Sequence, residues 1–140
     1  MEFTYPAQFT RDQDGRILVT FPDFPEYATD GKDSAEATRE AIDCLGSAIA
    51  HAMAEKETIP APSAPQMGQE SVPVPIWIGP KLALYLRMKA MGLNNSQLAG
   101  QLGVTENVVR RMLDPDHSSR PEKIQAALRE LGQTLKIAAS

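Results

Sequence analysis

The stretch SQLAGQLGVTENVVRRML, from Ser96 to Leu113, predicts two short helices joined by a tight turn. Polar side chains that can cap the first helix stand at its beginning: Asn94, Asn95 and Ser96. This helix is expected to end at Gly103, because glycine adopts a left-handed backbone at little cost. Thr105 can cap the second helix, which we expect to end at about Leu113.

Small and apolar residues in this stretch keep the spacing that two crossing helices need. Ala99 precedes Gly103 by four residues, and a bulkier side chain there would block the close approach of the helices. The residues expected on inward positions are Leu98, Leu102, Val104, Val109 and Met112. Helix-turn-helix proteins use this arrangement to present their second helix to the major groove of DNA.

The segment from about Leu82 to Leu131 resembles the helix-turn-helix domain of the Cro and phage-repressor family, through the motif NSQLAGQLGVTENVVRRML. The resemblance implies an exposed recognition face on the second helix, made of Thr105, Glu106, Asn107, Arg110 and Arg111. Asn107 would pair with adenine, and the arginines with guanine or phosphate. Asn95 and Ser96, at the start of the first helix, would lie near a phosphate.

Two carboxylates depart from that family pattern. Asp114 follows the recognition helix, where a neutral phosphate-binding residue is common in the family, and Glu106 is also acidic. Glu106 can instead accept a hydrogen bond from a cytosine amino group. The alternative interpretation is a plain helical hairpin whose arginines are solvated surface, and the basic charge of this half of the chain argues against it.

The small size of the chain favours an oligomer. One recognition helix reads few base pairs, and twofold dimers that place two such helices about 34–36 Å apart are the usual geometry. The 140 residues also make two very small domains, and domains of about 60 residues are marginally stable alone. We therefore predict a homodimer or a higher homo-oligomer.

Alternating apolar and polar residues predict a β-hairpin in the first part of the chain. Its strands are expected over Glu2–Arg11 and Arg16–Pro22, joined by a turn at Asp14–Gly15. Pro6 cannot donate a ladder hydrogen bond, which predicts that the first strand lies at an edge or near a bulge. A short third strand is expected over Glu26–Thr29.

One long amphipathic helix is expected to cover this sheet. Apolar residues recur at offsets of three and four, and Asp33 with Glu36 has the spacing of a capping box, so the helix should span about Ser34 to Glu55. Residues 57–75 contain five prolines and predict a semirigid tether, with an edge strand possible over residues 71–78. A helix over Lys81–Met91 follows the tether.

These elements predict an α+β fold in two domains. Residues 1–78 would form a three- to four-stranded sheet with one covering helix, and residues 79–140 an all-α domain. Residues 1–79 carry 5 Lys and Arg against 13 Asp and Glu, net −8, whereas residues 80–140 carry 9 against 5, net +4. An acidic half joined to a basic half suggests a basic partner and a polyanionic partner. The alternative is that the charges only solvate the two surfaces.

The composition is that of a soluble globular protein, with 42% apolar and 23% charged residues. No apolar run approaches the ~20 residues of a membrane span, and MEFTYPAQF lacks the features of a secretory signal. The single Cys44 cannot form an intrachain disulfide. We therefore expect a cytoplasmic location and no membrane partner.

The first 75 residues resemble the N-terminal domain of HicB antitoxins through short motifs in the order of that family. The motifs are Asp14-Gly15, Pro22-Asp23-Phe24-Pro25, Thr29-Asp30-Gly31, Glu36-Ala37 with Glu40-Ala41, and Ile59-Pro60-Ala61-Pro62-Ser63. Many members have glycine where this chain has Glu26. The resemblance implies a partial RNase H-like fold without nuclease activity. It also implies that this domain covers the active site of a small basic HicA-like toxin that cleaves messenger RNA, and that the complex represses its own promoter.

Carboxylates around the loop and the helix start are the candidate toxin contacts: Asp23, Glu26, Asp30, Asp33 and Glu36. A basic RNA-cleaving partner would be steered toward such an acidic surface. Each carboxylate has a structural alternative as a turn or cap residue, and for Asp33 the cap is the stronger interpretation. Phe24 and Tyr27 are candidate interface anchors or core residues.

The sequence predicts no enzyme activity, no metal site and no cofactor. A nuclease of the RNase H type needs several carboxylates that converge on divalent metal, but Asp12 and Asp14 fall in a hairpin turn, where aspartate is common. His51 and His117 lack the spacing of metal ligands. Two further hypotheses stay open: a repressor whose N-terminal domain senses a small ligand, and a metal-dependent nuclease.

Overall fold

A computed structural model describes residues 2–139, and its architecture is α+β. The chain divides into two compact units, one up to Ile76 and the other from Trp77 onward. Within residues 2–139, the first unit contains a four-stranded antiparallel sheet and one helix, and the regular elements of the second are all helices. The fold class expected from the sequence is therefore confirmed.

The first unit is a sheet with one helix on one face. Its elements in chain order are β1 (Thr4–Arg11), β2 (Ile17–Thr20), β3 (Ala28–Gly31), α1 (Ser34–Ala54) and β4 (Gln69–Pro73). The strands lie in the order β3-β2-β1-β4, and all neighbours are antiparallel. Tyr5, Ala7 and Val19 are fully buried, as the alternation predicts, and α1 buries its apolar stripe from Ala37 to Met53.

The hairpin turn between β1 and β2 is built by one aspartate. Oδ1 of Asp12 accepts hydrogen bonds from the backbone N–H groups of Asp14 and Arg16, both at 2.9 Å. Gly15 has a left-handed backbone with φ of 82°. This turn explains why β1 ends at Arg11, as predicted, and why β2 begins at Ile17, one residue after the predicted start. The outer ends were predicted two residues too far, because β1 begins at Thr4 and β2 ends at Thr20.

The predicted position of the third strand was wrong by two residues. β3 spans Ala28–Gly31 instead of Glu26–Thr29, because two successive turns occupy the preceding loop. In these turns the N–H of Phe24 donates to the carbonyl of Phe21, and the N–H of Tyr27 donates to that of Phe24. The two prolines of the loop favour the same turns.

The proline-rich segment between α1 and β4 is mostly exposed but is attached to the first unit at a few residues. Ile59 is buried, and Asp23 Oδ2 accepts hydrogen bonds from the N–H and Oγ of Ser63 at 3.0 and 3.1 Å. The edge strand starts earlier than expected, at Gln69, because a turn from Gln66 with Gly68 at φ of 84° reverses the chain. The predicted edge strand is thus present as β4, and the segment before it contacts the first unit at Ile59, Pro60 and Ser63.

The predicted edge position of β1 was also wrong, because β1 lies between β2 and β4. Pairing with β2 covers only Gln8–Arg11, and pairing with β4 covers Thr4–Gln8. The N–H of Val74 donates to the carbonyl of Phe3, so alternation places the nitrogen of Pro6 on the side away from β4. At Pro6 that side has no strand partner, and the missing donor costs no ladder bond.

Tyr5 joins three parts of the first unit. Its hydroxyl donates to the carbonyl of Pro60 at 2.7 Å, and its ring lies 5.1 Å from the ring of Phe24 at an interplanar angle of 59°. Burial, with a smaller contribution from the charge of Asp23, raises the pKa of Tyr5 to about 12 from its ordinary value of 10.0. The neutral phenol is thus favoured by the fold.

We expect alkaline pH to destabilise the first unit through Tyr5. Its pKa is higher in the folded state, so its contribution is complete below pH 10.0 and is lost as the pH rises toward about 12. The loss should reach about 2 kcal/mol in the free energy of unfolding. Urea unfolding across this pH window should show a flatter decline for Tyr5→Phe than for the wild type. Tyr85→Phe, in the second unit, is the control, and parallel declines for wild type and Tyr5→Phe would contradict the prediction.

The second unit consists of four helices around one core. They are α2 (Gly79–Met91), α3 (Asn95–Leu102), α4 (Glu106–Leu113) and α5 (Pro121–Glu130). Each of the four contributes fully or almost fully buried side chains, among them Leu84, Leu98, Val109 and Leu128. Helix α2 begins two residues before the predicted Lys81, because Pro80 fits the first helical turn.

Candidate nucleic-acid interface and acidic surface

Helices α3 and α4 form the predicted pair around Gly103. Gly103 has φ of 67°, and the N–H of Val104 donates to the carbonyl of Ala99 at 3.0 Å. Asn94 caps α3 in a capping box with Gln97, with both hydrogen bonds at 2.8 Å. Ala99 is 4% exposed, in agreement with its expected place at the crossing of the helices. The turn and the cap therefore follow from local sequence rules.

Helix α4 separates a buried face from an exposed one. Val109 and Met112 point into the core. The five residues predicted for the recognition face are all exposed: Thr105, Glu106, Asn107, Arg110 and Arg111. Val104 was expected to point inward but is 39% exposed, because it lies in the turn before α4 begins. At the start of α3, Ser96 is exposed and Asn95 is half-buried.

Glu106 connects the two helices on the exposed side. Its Oε2 accepts a hydrogen bond from Oγ of Ser96 at 3.3 Å, and its Oε1 lies 3.8 Å from Nη2 of Arg110. Thr105 occupies the cap position of α4, but its side chain makes no capping hydrogen bond. Two predicted DNA-contacting residues, Ser96 and Arg110, thus each contact a third, Glu106.

Lys81 is a buried residue that the sequence analysis did not identify. It is 4% exposed, and its Nζ donates to the carbonyls of Arg111 and Met112 at 3.1 and 3.2 Å and to Oγ of Ser119 at 3.0 Å. Ser119 in turn donates to the carbonyl of Arg111 at 3.0 Å. The ammonium therefore caps the C-terminal end of α4, where a helix favours a positive charge.

Burial lowers the pKa of Lys81, and the charge of Asp114 opposes this shift. Asp114 also begins the turn after α4, since its Oδ1 accepts from the N–H of Asp116 at 2.9 Å. These two roles account for the acidic residue at a place where the resembled family commonly has a neutral one. A sequence signal for Lys81 was present, because it falls on the same helical stripe as Leu84 and Met88.

A second cation of α2 caps a second helix. Nε of Arg87 donates to the carbonyl of Leu131, at the end of α5, at 2.8 Å. Lys81 and Arg87 are therefore used for helix capping. The positive charge that remains on exposed side chains of the helical unit includes Arg110 and Arg111 on α4 and Arg120 and Lys123 at the start of α5.

Most of the five acidic candidates have partners within the first unit. Asp33 caps α1 by accepting from the N–H of Glu36 at 2.8 Å, and Asp30 pairs with Nε of Arg16 at 2.7 Å. Glu36 lies 3.9 Å from Nζ of Lys32. As described above, Asp23 binds Ser63.

Glu26 differs from the other four candidates. It is exposed and forms no hydrogen bond or ion pair within residues 2–139. Phe24 is 7% exposed and packs on Tyr5, so it is a core residue, whereas Tyr27 is only half-buried. Among the five carboxylates, Glu26 is therefore the one without an internal partner in the described part of the chain, while Asp30 and Asp33 are exposed although each is already engaged.

The described residues contain no group of three or more His, Cys, Asp or Glu side chains that could hold a metal ion. Asp12 and Asp23 are instead engaged in a turn and in the contact with Ser63. Burial, helped by the charge of Glu40, raises the pKa of the Cys44 thiol, which makes it a weaker nucleophile. Among the described helices, none has the length and apolar character that crossing a membrane requires.

Comparison with known proteins gives matches along nearly the whole chain. Residues 4–83 match the family model of HicB-like antitoxins of bacterial toxin–antitoxin systems. Antitoxin HicB 2 of Photorhabdus laumondii is 34% identical over 135 residues, which cover 96% of this chain and 95% of that protein. Antitoxin HicB 1 of the same organism is 29% identical, with 95% and 84% covered. Antitoxin HicB of Escherichia coli K12 is 28% identical, with 95% and 96% covered.

Proposed function

The chain belongs to the HicB-like antitoxin family of bacterial toxin–antitoxin systems, and we propose that its two units bind two different partners. The sheet unit neutralises a small basic HicA-like toxin that cleaves messenger RNA. The helical unit binds operator DNA as a helix-turn-helix and represses the operon that encodes both proteins. The chain itself acts in the cytoplasm, without catalysis, as a dimer or a higher oligomer.

The exposed face of α4 is the observation that carries the DNA-binding part. Two adjacent arginines and Asn107 point to solvent, while Val109 and Met112 fix the opposite face in the core. Arg110 is 64% exposed in its side chain, which leaves its planar guanidinium available for a guanine edge or a phosphate. The capped ends of α3 and α4 support a rigid presentation of these groups.

Charge and shape support a dimeric operator complex. The helical half carries net +4 while the sheet half carries net −8, so DNA is attracted to one unit and repelled by the other. Helix α4 has eight residues and spans only a few base pairs. A twofold dimer doubles this contact, and its operator would be a palindrome with half-sites about one helical turn apart.

We expect Arg110→Ala and Arg111→Ala each to weaken operator binding by about 1–3 kcal/mol. A bidentate guanine contact would also relax the preference at one base pair, whereas a phosphate contact would weaken all sequences alike and reduce the salt dependence. Equilibrium binding to the promoter duplex at several salt concentrations separates the two cases. Full affinity in both variants would exclude this face of α4.

For the toxin-binding part, the supporting observation is the acidic surface of the sheet unit. A basic partner gains association rate from the net charge and specificity from the few carboxylates without internal partners, such as Glu26. Co-expression of the full chain with a HicA-like toxin, taken from a gene beside its own, tests this directly. We expect a stable complex and suppressed messenger RNA cleavage. Recovery of the chain alone, with the toxin still active, would contradict the proposal.

A further inference from the structure

We propose that Glu106 is a positioning and specificity residue of α4, which restrains Arg110 and penalises DNA that offers no hydrogen-bond donor to its carboxylate. The inference rests on the DNA-binding role proposed above. The proposed role of Glu106 in selectivity differs from simple base reading. The negative charge of Glu106 weakens binding to every DNA sequence, and only some sequences compensate for that weakening.

The geometry gives the two carboxylate oxygens of Glu106 separate partners on two helices. Oε2 accepts from Ser96 at the start of α3, and Oε1 faces Arg110 one turn further along α4. Ser96 and Arg110 are both candidate DNA contacts, and in the free protein both are turned toward the same carboxylate. The Glu106 side chain is 52% exposed, so DNA can reach it.

The ion pair between Glu106 and Arg110 is weak because both side chains are exposed to solvent. An exposed ion pair at i and i+4 shifts an equilibrium only about twofold, so DNA can separate Arg110 from Glu106. Glu106 therefore does not block binding. It does add one negative charge to the surface that approaches the phosphates, and this repulsion is the same for every sequence.

Specificity arises because only some sequences compensate for this repulsion. An amino group of cytosine or adenine in the major groove can donate to the carboxylate, whereas guanine and thymine offer acceptors. A correct site thus replaces the Ser96 hydrogen bond and the Arg110 ion pair that Glu106 gives up, and an incorrect site leaves the carboxylate desolvated and unpaired. Specificity is a difference of affinities, and Glu106 acts on it by weakening the wrong complexes.

The test uses the full chain, with Glu106→Gln as the variant and Glu130→Gln as the control. Glu130 is exposed at the end of α5, so its substitution changes the net charge equally at a place away from α4. The two probes are a duplex that wild-type protein selects from a random-sequence pool and a scrambled duplex of equal composition. Binding is measured over a range of salt concentrations.

For Glu106→Gln we expect three- to tenfold tighter binding of the scrambled duplex, roughly a tenfold smaller ratio of selected to scrambled affinity, and a steeper salt dependence. Glu130→Gln should leave the ratio unchanged. In an Arg110→Ala background the effect of Glu106→Gln on the scrambled duplex should fall to about half or less, because Arg110 is then no longer there to be released. The salt slope and this coupling are readouts that a merely structural role of Glu106 would not move.

Two results would overturn the inference while leaving the proposed function intact. One is an unchanged affinity ratio in Glu106→Gln. The other is an altered preference at a single base pair with unchanged affinity for the scrambled duplex, which would make Glu106 a base-reading residue only. Failure of the wild-type protein to enrich any sequence is a distinct outcome, and it would refute the DNA-binding role together with this inference.

Discussion

Replacement of Gly31 by alanine is expected to destabilise the sheet unit by about 4 kcal/mol, which is a large fraction of the total stability of so small a unit. A β-carbon on Gly31 would lie 2.3 Å from the backbone nitrogen of Ala37 and 2.7 Å from its Cα, and 2.8 Å from the carbonyl carbon of Glu36. All three are backbone atoms of the first turn of α1, so no side-chain rotation relieves the contact.

Relief of this contact would break other interactions. Gly31 pairs with Ile17 at the end of β3, and Asp33, two residues further along, caps α1 through the N–H of Glu36. Moving β3 away from α1 would therefore lose both the strand register and the cap, and a cap alone contributes about 1 kcal/mol. The overpacking and the lost cap together give the magnitude of the prediction.

Residue-resolved hydrogen exchange measures this effect in the full chain, because it reports α1 and β2 separately from the helical unit. The matched control is Gly100→Ala in α3, where nothing lies within 4 Å of the added methyl group. That change should stabilise the helical unit by about 0.5–1 kcal/mol, since alanine favours a helix over glycine. A Gly31→Ala protein within 1 kcal/mol of the wild type would show that β3 and α1 separate at little cost.

The elements that the sequence predicted well are those decided by neighbouring residues. The stripe of α1, its cap at Asp33 and the turn at Gly103 each depend on residues within one or two helical turns, and all three are present. β3 and β4 were displaced because short turns at Phe24 and Gln66 fix where these strands begin. The local sequence specifies the position of such short turns only weakly, and the starting residues of β3 and β4 depend on those positions.

The interactions that the sequence did not reveal join residues far apart in the chain. Asp23 meets Ser63 across 40 positions, Lys81 meets Arg111 across 30, and Arg87 meets Leu131 across 44. A charged residue looks the same in a sequence whether it is solvated or caps a distant helix. The candidate recognition face was easier to propose, because exposure on α4 is simply the complement of its buried face.

These distant contacts also change how the charge of the chain is interpreted. A count of charged residues treats all 9 Lys and Arg of the helical half as available to DNA. Lys81 and Arg87 cap helices instead. The salt dependence of DNA binding should therefore be smaller than the sequence charge suggests, because it follows the number of phosphates actually neutralised.

The second large effect is expected for Lys81→Met, which should destabilise the helical unit by about 3 kcal/mol. Methionine fills the volume of the buried lysine stem but cannot donate, so the carbonyl of Met112 and the hydroxyl of Ser119 each lose the hydrogen bond from Nζ. The carbonyl of Arg111 keeps its bond from Ser119. Loss of the positive charge at the end of α4 adds to the cost.

Desolvation of the ammonium limits this loss. Burial already lowers the pKa of Lys81, so part of the free energy of its three hydrogen bonds is used to keep the charge away from water. An apolar residue at this position avoids the free-energy cost of keeping a charge away from water. In other systems, buried charges have been replaced by apolar groups without a net loss of stability. We expect the hydrogen bonds to outweigh it here, because all three acceptors lie within 3.2 Å and no water is needed to complete the site.

Hydrogen exchange of the α4 amides and urea unfolding of the full chain measure the effect, with Lys123→Met as the control for removing one exposed cation from α5. The control should change stability by less than about 0.5 kcal/mol. In Lys81→Met the last turn of α4 should exchange faster, and binding to DNA should weaken about tenfold or more because Arg110 and Arg111 belong to that turn. Wild-type stability in Lys81→Met would mean that desolvation offsets the three hydrogen bonds, and the C-terminal end of α4 would then be held by its apolar face alone.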